Sequence, residues 1–283
     1  MSWRMKVLHK TELEYTTAVS VSFNEARMSP ADGNGQLLIT HDLKVTPAAR
    51  IQSYTDYWGT VVEAFDVHEP HTKLEVISRN IVDTPAAKER TEGMDWELLS
   101  SPEVRDTWCE FLRPSQYVDD ARYDEVRIDL VNQLRSAASP HEAIDGAVAA
   151  VRERILYSPG TTSVSTTARE AWEERAGVCQ DFAHTTLSLL RAVGIPGRYV
   201  SGYLYPNEGE IGQTVTGESH AWFEAWDGAW WAYDPTNGLD VGEGHVVVAR
   251  GRDYADVSPL KGVYAGGQPQ EPEVEVSLTR LER

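Results

Sequence analysis

The sequence predicts an α+β protein in which an N-terminal antiparallel β-sandwich is followed by a core of mixed helices and strands. Short apolar segments separated by turn residues fill roughly the first 85 positions, which is typical of a sandwich. A helical apolar period then starts near Trp96, and strand-like segments return from Arg198 onward. We therefore expect a β-sandwich domain over residues 1–85 and a second domain over residues 86–283, with its core motifs at 157–257.

The N-terminal domain alternates strand-like segments with turn residues. Strands are predicted over 6–15, 19–23, 36–40 with 43–46, 51–57, 61–68 and 73–82, and a glycine-rich turn over 29–35. Nothing in this region has catalytic or metal-ligand spacing. Its histidines are scattered, so we expect surface or packing roles for His9, His41, His68 and His71.

Helix-start motifs dominate the middle of the chain. Residues 139–142 combine an N-cap serine, a first-turn proline and a glutamate three residues on. The apolar stripe that follows is formed by Ile144, Val148, Val151 and Ile155. A second capping box at 167–170 opens a short helix that we expect to stop at Gly177. The next helix begins at or just before Cys179 and is ended by Gly194.

Composition limits the classes of partner. The 283 residues include 26 basic and 44 acidic side chains, which gives a formal net charge of -18. Such a field repels phosphate backbones and anionic membranes, so we expect neither nucleic acid nor membrane as a partner. The N-terminal residues lack an apolar core of signal-peptide length, which makes the cytoplasm the expected location.

The chain has two cysteines, too few for a disulfide framework, and no Cys-x-x-Cys pair that would indicate structural zinc. Cys109 lies in an amphipathic helical context, and we interpret it as a small buried hydrophobic residue. Cys179 is different, because it follows Gly177 and stands in the first turn of a predicted helix. Exposed N–H groups and the helix dipole favour a thiolate there and could bind an oxyanion, so Cys179 is the candidate nucleophile.

Three histidines are candidates for the base that a thiol nucleophile requires. His184 lies five residues after Cys179, about 140° around the same helix, so it points away from the thiol. His220 lies on a predicted strand that can present it to the helix start. His245 is also strand-like, but no nearby carboxylate is patterned to hold it. We therefore choose His220 as the base.

Asp234 is the candidate orienter of His220, and the turn at Asp227-Gly228 decides whether the two side chains share a face. A two-residue loop would place them on opposite faces, because a slip of one residue flips a strand. A three-residue loop ending in Gly228 would pair Ala225 with Ala229 and set His220 directly opposite Asp234. We therefore predict a connection of odd length or a compensating bulge.

At these residues the chain resembles the transglutaminase-like superfamily, whose core is a permuted relative of papain-like cysteine proteases. The motifs that carry the resemblance are Gly177-Val178-Cys179-Gln180-Asp181-Phe182-Ala183, the segment 194–203, His220-Ala221-Trp222 and Tyr233-Asp234-Pro235-Thr236. The match is more specific to bacterial members with an extra N-terminal β domain, through His9-Lys10-Thr11, Tyr15, Ser29-Pro30, Asp56-Tyr57-Trp58-Gly59, and the segments 157–162 and 251–257.

The resemblance implies Cys179 as nucleophile, His220 as base and Asp234 as orienter, with one oxyanion donor from the Cys179 N–H. Tyr157 is a candidate for a second oxyanion donor, with an ordinary packing role as the alternative. The remaining candidates for the cleft wall are Gln180, Asp253 and Tyr254, although the last two could equally brace it. The calcium sites of animal transglutaminases have no evident counterpart here, and we expect neither a metal nor a cofactor.

Together these observations predict a cysteine enzyme that acts on the amide bond of a peptide or protein substrate through a thioester. We expect hydrolysis, as in a protease, isopeptidase or deamidase, because water needs no second-substrate site. The first alternative is a transglutaminase that transfers the acyl group to an amine. The second is a non-catalytic peptide- or protein-binding module that retains the fold. The sequence leaves the oligomeric state open.

Overall fold

The computed structural model describes residues 2–89, 91, 93–205, 211–217 and 219–282. Within them the strands are β1 (Trp3–Ala26), β2 (Leu37–Thr46), β3 (Ile51–Thr55), β4 (Val61–Val67), β5 (His71–Thr84), β6 (Leu156–Tyr157), β7 (Ala176–Gly177), β8 (Gly197–Leu204), β9 (Thr214–Gly217), β10 (Ser219–Trp226), β11 (Trp230–Asp234), β12 (Leu239–Asp240), β13 (His245–Gly251), β14 (Leu260–Gly266) and β15 (Glu273–Leu281). The α-helices are α1 (Trp96–Leu99), α2 (Pro102–Thr107), α3 (Ile128–Arg135), α4 (Pro140–Arg154), α5 (Ala168–Glu174), α6 (Cys179–Val193) and α7 (Tyr254–Val257). Two 3-10 helices span Cys109–Leu112 and Ala121–Tyr123.

The N-terminal region is antiparallel, as the sequence predicts, but one long strand, β1, replaces the two strands expected over 6–15 and 19–23. The first half of β1 pairs with β5, which carries β2 on its other side. The register breaks between Glu14 and Val19, and the second half of β1 pairs with β4, which carries β3. A strand that bends at such a break takes part in two layers that pack against each other. A small apolar core that includes Val19, Phe65 and Leu74 fills this region.

The C-terminal strands return to this sheet. β14 pairs with the second half of β1, β15 pairs with its first half, and β9 adds to β15. Strand β15 is thus paired with the first strand of the chain. The division after residue 85 stays a prediction about folding units, because residues on both sides of it build one eight-stranded sheet.

The second layer of the molecule is a five-stranded antiparallel sheet in the order β12-β11-β10-β8-β13, packed against helix α6. α6 is buried along nearly its whole length, because α3, α4 and α5 pack against it as well as β8 and β10. The largest apolar core of the described residues lies here and includes Leu187, Leu190, Phe223 and Val246. No helix among the described residues is both long and apolar enough to cross a membrane.

The capping motifs act as the sequence predicts. Ser139 accepts from the Glu142 N–H at the start of α4, and Thr167 forms a reciprocal capping box with Glu170 at the start of α5. α5 ends earlier than expected, at Glu174, because Arg175 adopts the left-handed conformation that closes the helix. The context of Cys109 also differs from the prediction, since this half-buried residue opens a 3-10 helix.

Candidate active site

Cys179 is the first residue of α6, so its N–H is one of the groups that an α-helix leaves without an intrahelical partner. The preceding residue, Val178, is extended, and its N–H donates to Oδ2 of Asp181 at 2.8 Å. Thr162 donates to the same oxygen at 2.6 Å. The helix start is therefore held from within by a buried carboxylate, and the half-buried thiol faces a cavity.

Gly177 makes this helix start possible for a reason of space. A Cβ atom built on Gly177 would lie 2.5 Å from Oδ2 and 2.6 Å from Cβ of Asp181. β7, which contains Gly177, pairs in parallel with β6 and fixes the chain just before the thiol. The close approach of the capping Asp181 is therefore what requires a glycine at this position.

His220 and Asp234 are hydrogen-bonded, with His220 Nε2 2.8 Å from Asp234 Oδ2. Both side chains are buried, and the Cys179 side chain is also a hydrogen-bond partner of the imidazole. Since Nε2 is held by Asp234, the nitrogen left for the thiol is Nδ1. The structure thus brings the three predicted residues into one chain of hydrogen bonds.

Asp234 is held in place by several donors besides His220. Its Oδ1 accepts from the backbone N–H groups of Thr236 and Asn237, each at 3.1 Å, and its Oδ2 accepts from Asn237 Nδ2 at 2.9 Å. Burial alone would raise the pKa of Asp234, but the hydrogen bonds from His220, His245 and Asn237 hold that pKa far below its usual range. The residue is a fixed carboxylate at any working pH.

The electrostatics of His220 favour the imidazolium. Burial lowers the pKa of His220, but the hydrogen bonds to Asp234 and Cys179 and the charges of both partners outweigh it and raise the pKa to about 9. A protonated imidazole between a carboxylate and a sulfur is the arrangement that stabilises a thiolate. A thiol activated in this way is a nucleophile suited to attack on a carbonyl carbon.

The connection between β10 and β11 has an odd number of residues, as predicted. Trp226 pairs with Trp230, so the loop is Asp227–Ala229 rather than the expected 226–228. Each paired residue of β10 therefore lies opposite a residue of β11 two positions later in the chain than expected. As a result, His220 lies diagonal to Asp234 instead of directly opposite it. Within the loop the Asp227 N–H donates to the Ala229 carbonyl at 3.3 Å, and the Asp227 carbonyl accepts from the Met94 N–H at 2.6 Å. The shared face, which depends on parity, is unchanged.

His245 is close to Asp234, which corrects the expectation that no carboxylate is near it. Its Nε2 lies 3.4 Å from Asp234 Oδ2, and its Nδ1 accepts from the Gly242 N–H at 3.3 Å. Nε2 therefore carries the proton and donates to Asp234. β13 and β11 are separated by two strands in the sheet, so no local pattern in the sequence reports this contact.

The side chains of His220, Asp234 and His245 present ligand atoms within 4.8 Å of one another, close enough to be tested as a metal site. The donor chemistry does not favour a metal. The 2.8 Å separation of His220 and Asp234 is a hydrogen bond, and the raised pKa of His220 keeps a proton on a ring that would have to bind as neutral imidazole.

His184 is not part of this network. It is fully buried, its Nε2 accepts from the Tyr254 N–H at 3.1 Å, and its ring stacks on Tyr117. Burial, with Arg191 nearby, lowers the pKa of His184 to about 3, so it is neutral at working pH. His184 is therefore a packed histidine outside the hydrogen bonds that join Cys179, His220 and Asp234.

The thiol opens into a cavity of about 640 Å³ that lies between the two sheets. One wall comes from the helical core. The opposite wall is one face of the N-terminal sheet, where alternate residues of β1 contribute His9, Thr11, Leu13 and Tyr15. β14 and β15 supply Leu260, Tyr264, Val274 and Val276 to the same wall.

His9 lines the cavity, whereas the sequence predicted only an ordinary surface or packing role for it. It is 1% exposed, with Nδ1 2.8 Å from the Tyr203 hydroxyl and Nε2 3.2 Å from Thr11 Oγ1. The period of two along 9, 11, 13 and 15 could have shown that these residues share a face. It could not have shown that this face meets Cys179.

The other predicted site residues divide into two groups. Tyr157, Gln180 and Tyr254 line the cavity with Cys179, and Gln180 is anchored by a 3.0 Å hydrogen bond from its Nε2 to the Val164 carbonyl. Asp253 is absent from the described lining. It is buried, and its two oxygens accept from the N–H groups of Ala255 and Tyr117, so it braces the wall from behind.

The chain matches two family models in the regions that form these two walls. Residues 5–83 match the bacterial transglutaminase-like N-terminal region, and residues 128–235 match the transglutaminase-like superfamily. The crystal structure of a candidate cysteine protease from Cytophaga hutchinsonii has the same fold, with a TM-score of 0.75 at 24% identity over 100% of this chain and 94% of that chain.

Relatives by sequence span the whole chain or its core. An uncharacterized protein of Mycobacterium leprae is 43% identical over 281 residues, 99% of each protein. One of Mycobacterium tuberculosis is 31% identical over 311 residues, 99% of this chain and 93% of that protein. A protein-glutamine gamma-glutamyltransferase of Pseudomonas aeruginosa is 27% identical over 151 residues, 46% of this chain and 22% of that protein. The chain therefore belongs to the transglutaminase-like superfamily, with the bacterial transglutaminase-like N-terminal region ahead of its core.

Proposed function

We propose that this protein is a cysteine-dependent enzyme that cleaves an amide bond of a peptide or protein through a thioester, with water as the acyl acceptor. One observation carries the proposal: His220 is held between the Cys179 side chain and the buried Asp234 carboxylate, 2.8 Å from Asp234 Oδ2. A thiol, a base and a fixed orienter in this order are the requirements for nucleophilic catalysis.

The reaction begins with the thiolate of Cys179 and the imidazolium of His220. Sγ forms a bond to the substrate carbonyl carbon, and the carbonyl oxygen gains negative charge. The N–H of Cys179, unpaired within the helix, is one donor to that oxygen, and the Tyr157 hydroxyl is a candidate for another because Tyr157 lines the same cavity. His220 gives its proton to the leaving nitrogen as the C–N bond breaks, which releases ammonia or an amine and leaves the thioester.

Hydrolysis completes the cycle. Neutral His220 accepts a proton from water as the water oxygen bonds to the thioester carbon. The C–S bond then breaks, the carboxylic acid product leaves, and the thiolate–imidazolium pair is restored. Asp234 keeps its charge throughout and holds the ring in one orientation, in line with its strongly lowered pKa.

An amine acceptor is the second candidate, favoured by one relative. The Pseudomonas aeruginosa protein that shares 27% identity over 151 residues is named a protein-glutamine gamma-glutamyltransferase. The thioester would then be attacked by a primary amine instead of water. The two outcomes share every step up to the thioester, so they are separated only by the product.

Selective alkylation tests the nucleophile. Iodoacetamide near pH 6 should modify Cys179 much faster than Cys109, because only the thiolate reacts and only Cys179 has an imidazolium partner. His220→Ala should remove most of that advantage, and Cys179→Ser should leave only slow labelling at Cys109. Equal and slow labelling of both cysteines in the unmodified protein would reject the enzyme in favour of a binding module.

Product analysis then identifies the acceptor. Glutamine-containing peptides incubated with the protein, with and without a primary amine, are followed by mass spectrometry. Deamidation or chain cleavage that persists unchanged in the presence of the amine supports hydrolysis. Incorporation of the amine at the expense of the hydrolysed product would assign the transferase activity instead.

A further inference from the structure

The described lining of the cavity in front of Cys179 differs in composition from the strongly acidic chain as a whole. Among its described lining residues there is no Asp, Glu, Lys or Arg. The sequence contains 44 acidic and 26 basic residues, which together make up 25% of the chain. The described wall consists of aliphatic and aromatic groups, glycines, prolines, and a few neutral polar side chains.

The polar groups of the wall are neutral as well. Burial lowers the pKa of His9 to about 4, and both of its nitrogens are already hydrogen-bonded within the protein. Burial also raises the pKa of Tyr15, Tyr199 and Tyr254 above the usual value for tyrosine. Near neutral pH the described wall away from Cys179 and His220 is therefore neutral.

We propose that this cavity is an acyl-donor site for peptide segments whose residues beside the reactive amide are uncharged, aliphatic or aromatic, and that it excludes Asp, Glu, Lys and Arg at those positions. The inference rests on the proposed function, because it names the substrate class of the same site. Its volume of about 640 Å³ lies within the range of roughly 300–1,000 Å³ that is usual for ligand pockets.

The physical basis is desolvation. A charged side chain that enters the cavity loses its water and finds no opposite charge on the described wall, which is unfavourable. An apolar side chain gains by covering Leu13, Leu260, Val274 and Val276. The cavity wall therefore selects against charge of either sign.

The long-range field of the protein predicts a different order. With a formal net charge of -18, the surface attracts cationic peptides and repels anionic ones. If the field decided selectivity, a Lys peptide would react fastest and a Glu peptide slowest. If the cavity decides it, a Leu peptide reacts faster than both. Salt screens the first effect far more than the second, because the Debye length is only about 3 Å at 1 M salt.

Three peptide probes separate these possibilities. Each carries a chloroacetylated side chain in the place of glutamine, and they differ only in having Leu, Glu or Lys beside it. Sγ of Cys179 displaces chloride, and intact-mass measurement gives the rate. At 0.5 M salt we expect the Leu probe to react at least about tenfold faster than the Glu and Lys probes, the change that about 1.4 kcal/mol of differential desolvation produces. Equal rates, or an order of Lys, Leu, Glu, would overturn the inference.

A control with iodoacetamide separates a cavity without selectivity from a thiol that is not activated. Iodoacetamide, which carries no flanking residue, is run in parallel. If it modifies Cys179 rapidly while the three peptides react alike, the nucleophile stands and the selectivity is refuted. If iodoacetamide itself shows no preference for Cys179 over Cys109, the proposed function fails first.

A charge placed on the wall gives the converse test. Val274 lines the cavity and is 49% exposed, so Val274→Lys is compatible with folding. The variant should improve the rate of the Glu probe relative to the Leu probe by about fivefold, which is the worth of one partly screened ion pair. Val263→Lys is the matched control, because Val263 is an exposed strand valine outside the described lining. A ratio unchanged in Val274→Lys, or changed equally in both variants, would contradict the proposed site.

Discussion

The Nε2 atom of His245 lies 3.4 Å from Oδ2 of Asp234, the oxygen that also binds His220. His245 is 4% exposed, and the Gly242 N–H donates to its Nδ1, so the proton on Nε2 points to the carboxylate. Oδ2 of Asp234 thus accepts a hydrogen bond from His220 and another from His245. We infer that His245 is a positioning residue, which fixes the carboxylate that in turn fixes His220.

His245→Ala should lower kcat by about tenfold with little change in KM, which corresponds to the loss of one hydrogen bond of roughly 1.4 kcal/mol. The pKa of His220 should also fall from its raised value, because a freer Asp234 stabilises the imidazolium less. Steady-state kinetics and an NMR titration of the His220 ring check the two effects. His245→Gln, whose amide can donate to Asp234, should restore most of the activity. A loss of thermal stability without a change in the His220 titration would assign His245 a merely structural role.

The pKa of His220 predicts how stability depends on pH. Its folded value of about 9 lies above the unfolded value of 6.5, so the stabilisation is complete below pH 6.5 and is lost as the pH rises through 9. The shift is worth about 3 kcal/mol. His220→Gln keeps a hydrogen-bond donor but does not titrate. The unmodified protein and His220→Gln should therefore differ most in free energy of unfolding at pH 6. Urea denaturation between pH 6 and 10 measures this difference. A difference that is constant with pH would show that the pKa is not raised.

Helix α6 and the position of Cys179 at its start could be predicted because their determinants are local. Gly177, the capping Asp181 and the terminating Gly194 lie within or beside the helix they define. The shared face of His220 and Asp234 was also predictable, since it depends only on loop parity. The register was not, because loops 226–228 and 227–229 have the same odd length and both contain Asp227-Gly228.

The contributions of His245 and His9 could not be predicted for the same physical reason. His245 reaches Asp234 through the order of strands in the sheet, and His9 reaches the cavity because β14 and β15 return to pair with β1. Strand order and long-range pairing are set by the packing of the whole domain. A strand's own pattern shows which residues share a face but not what that face will meet.

Gly177→Ala should impair catalysis more than folding. The added methyl group would lie 2.5 Å from Asp181 Oδ2, so the cap on the Val178 N–H must move and Cys179 must move with it. We expect at least about a hundredfold loss of kcat, the scale expected when a reacting group is displaced by about 1 Å. Gly146→Ala is the control, because in helix α4 its methyl group meets only the tip of the Leu134 side chain. Full activity in Gly177→Ala would show that the helix start does not depend on this contact.

His9 joins the N-terminal sheet to the core through its 2.8 Å hydrogen bond to the Tyr203 hydroxyl, which is buried with it. His9→Ala should reduce the free energy of unfolding by about 2–4 kcal/mol, since it leaves a cavity and an unpaired hydroxyl. It should also change the response to acid. The folded pKa of about 4 lies below the unfolded value of 6.5, so neutral His9 stabilises the fold fully above pH 6.5 and this stabilisation is lost as the pH falls toward 4.

The free energies of unfolding of the unmodified protein and of His9→Ala should therefore become closer as the solution is acidified from pH 7 to pH 4. Urea denaturation at several pH values measures this. His71→Ala is a suitable comparison, because His71 is a buried histidine of the same sheet that does not line the described cavity. If His9 also shapes the acyl-donor site, His9→Ala should slow alkylation of Cys179 by the Leu probe, whereas His71→Ala should leave that rate unchanged. Equal effects of the two substitutions on the probe would show that His9 acts on catalysis only through the stability of the sheet.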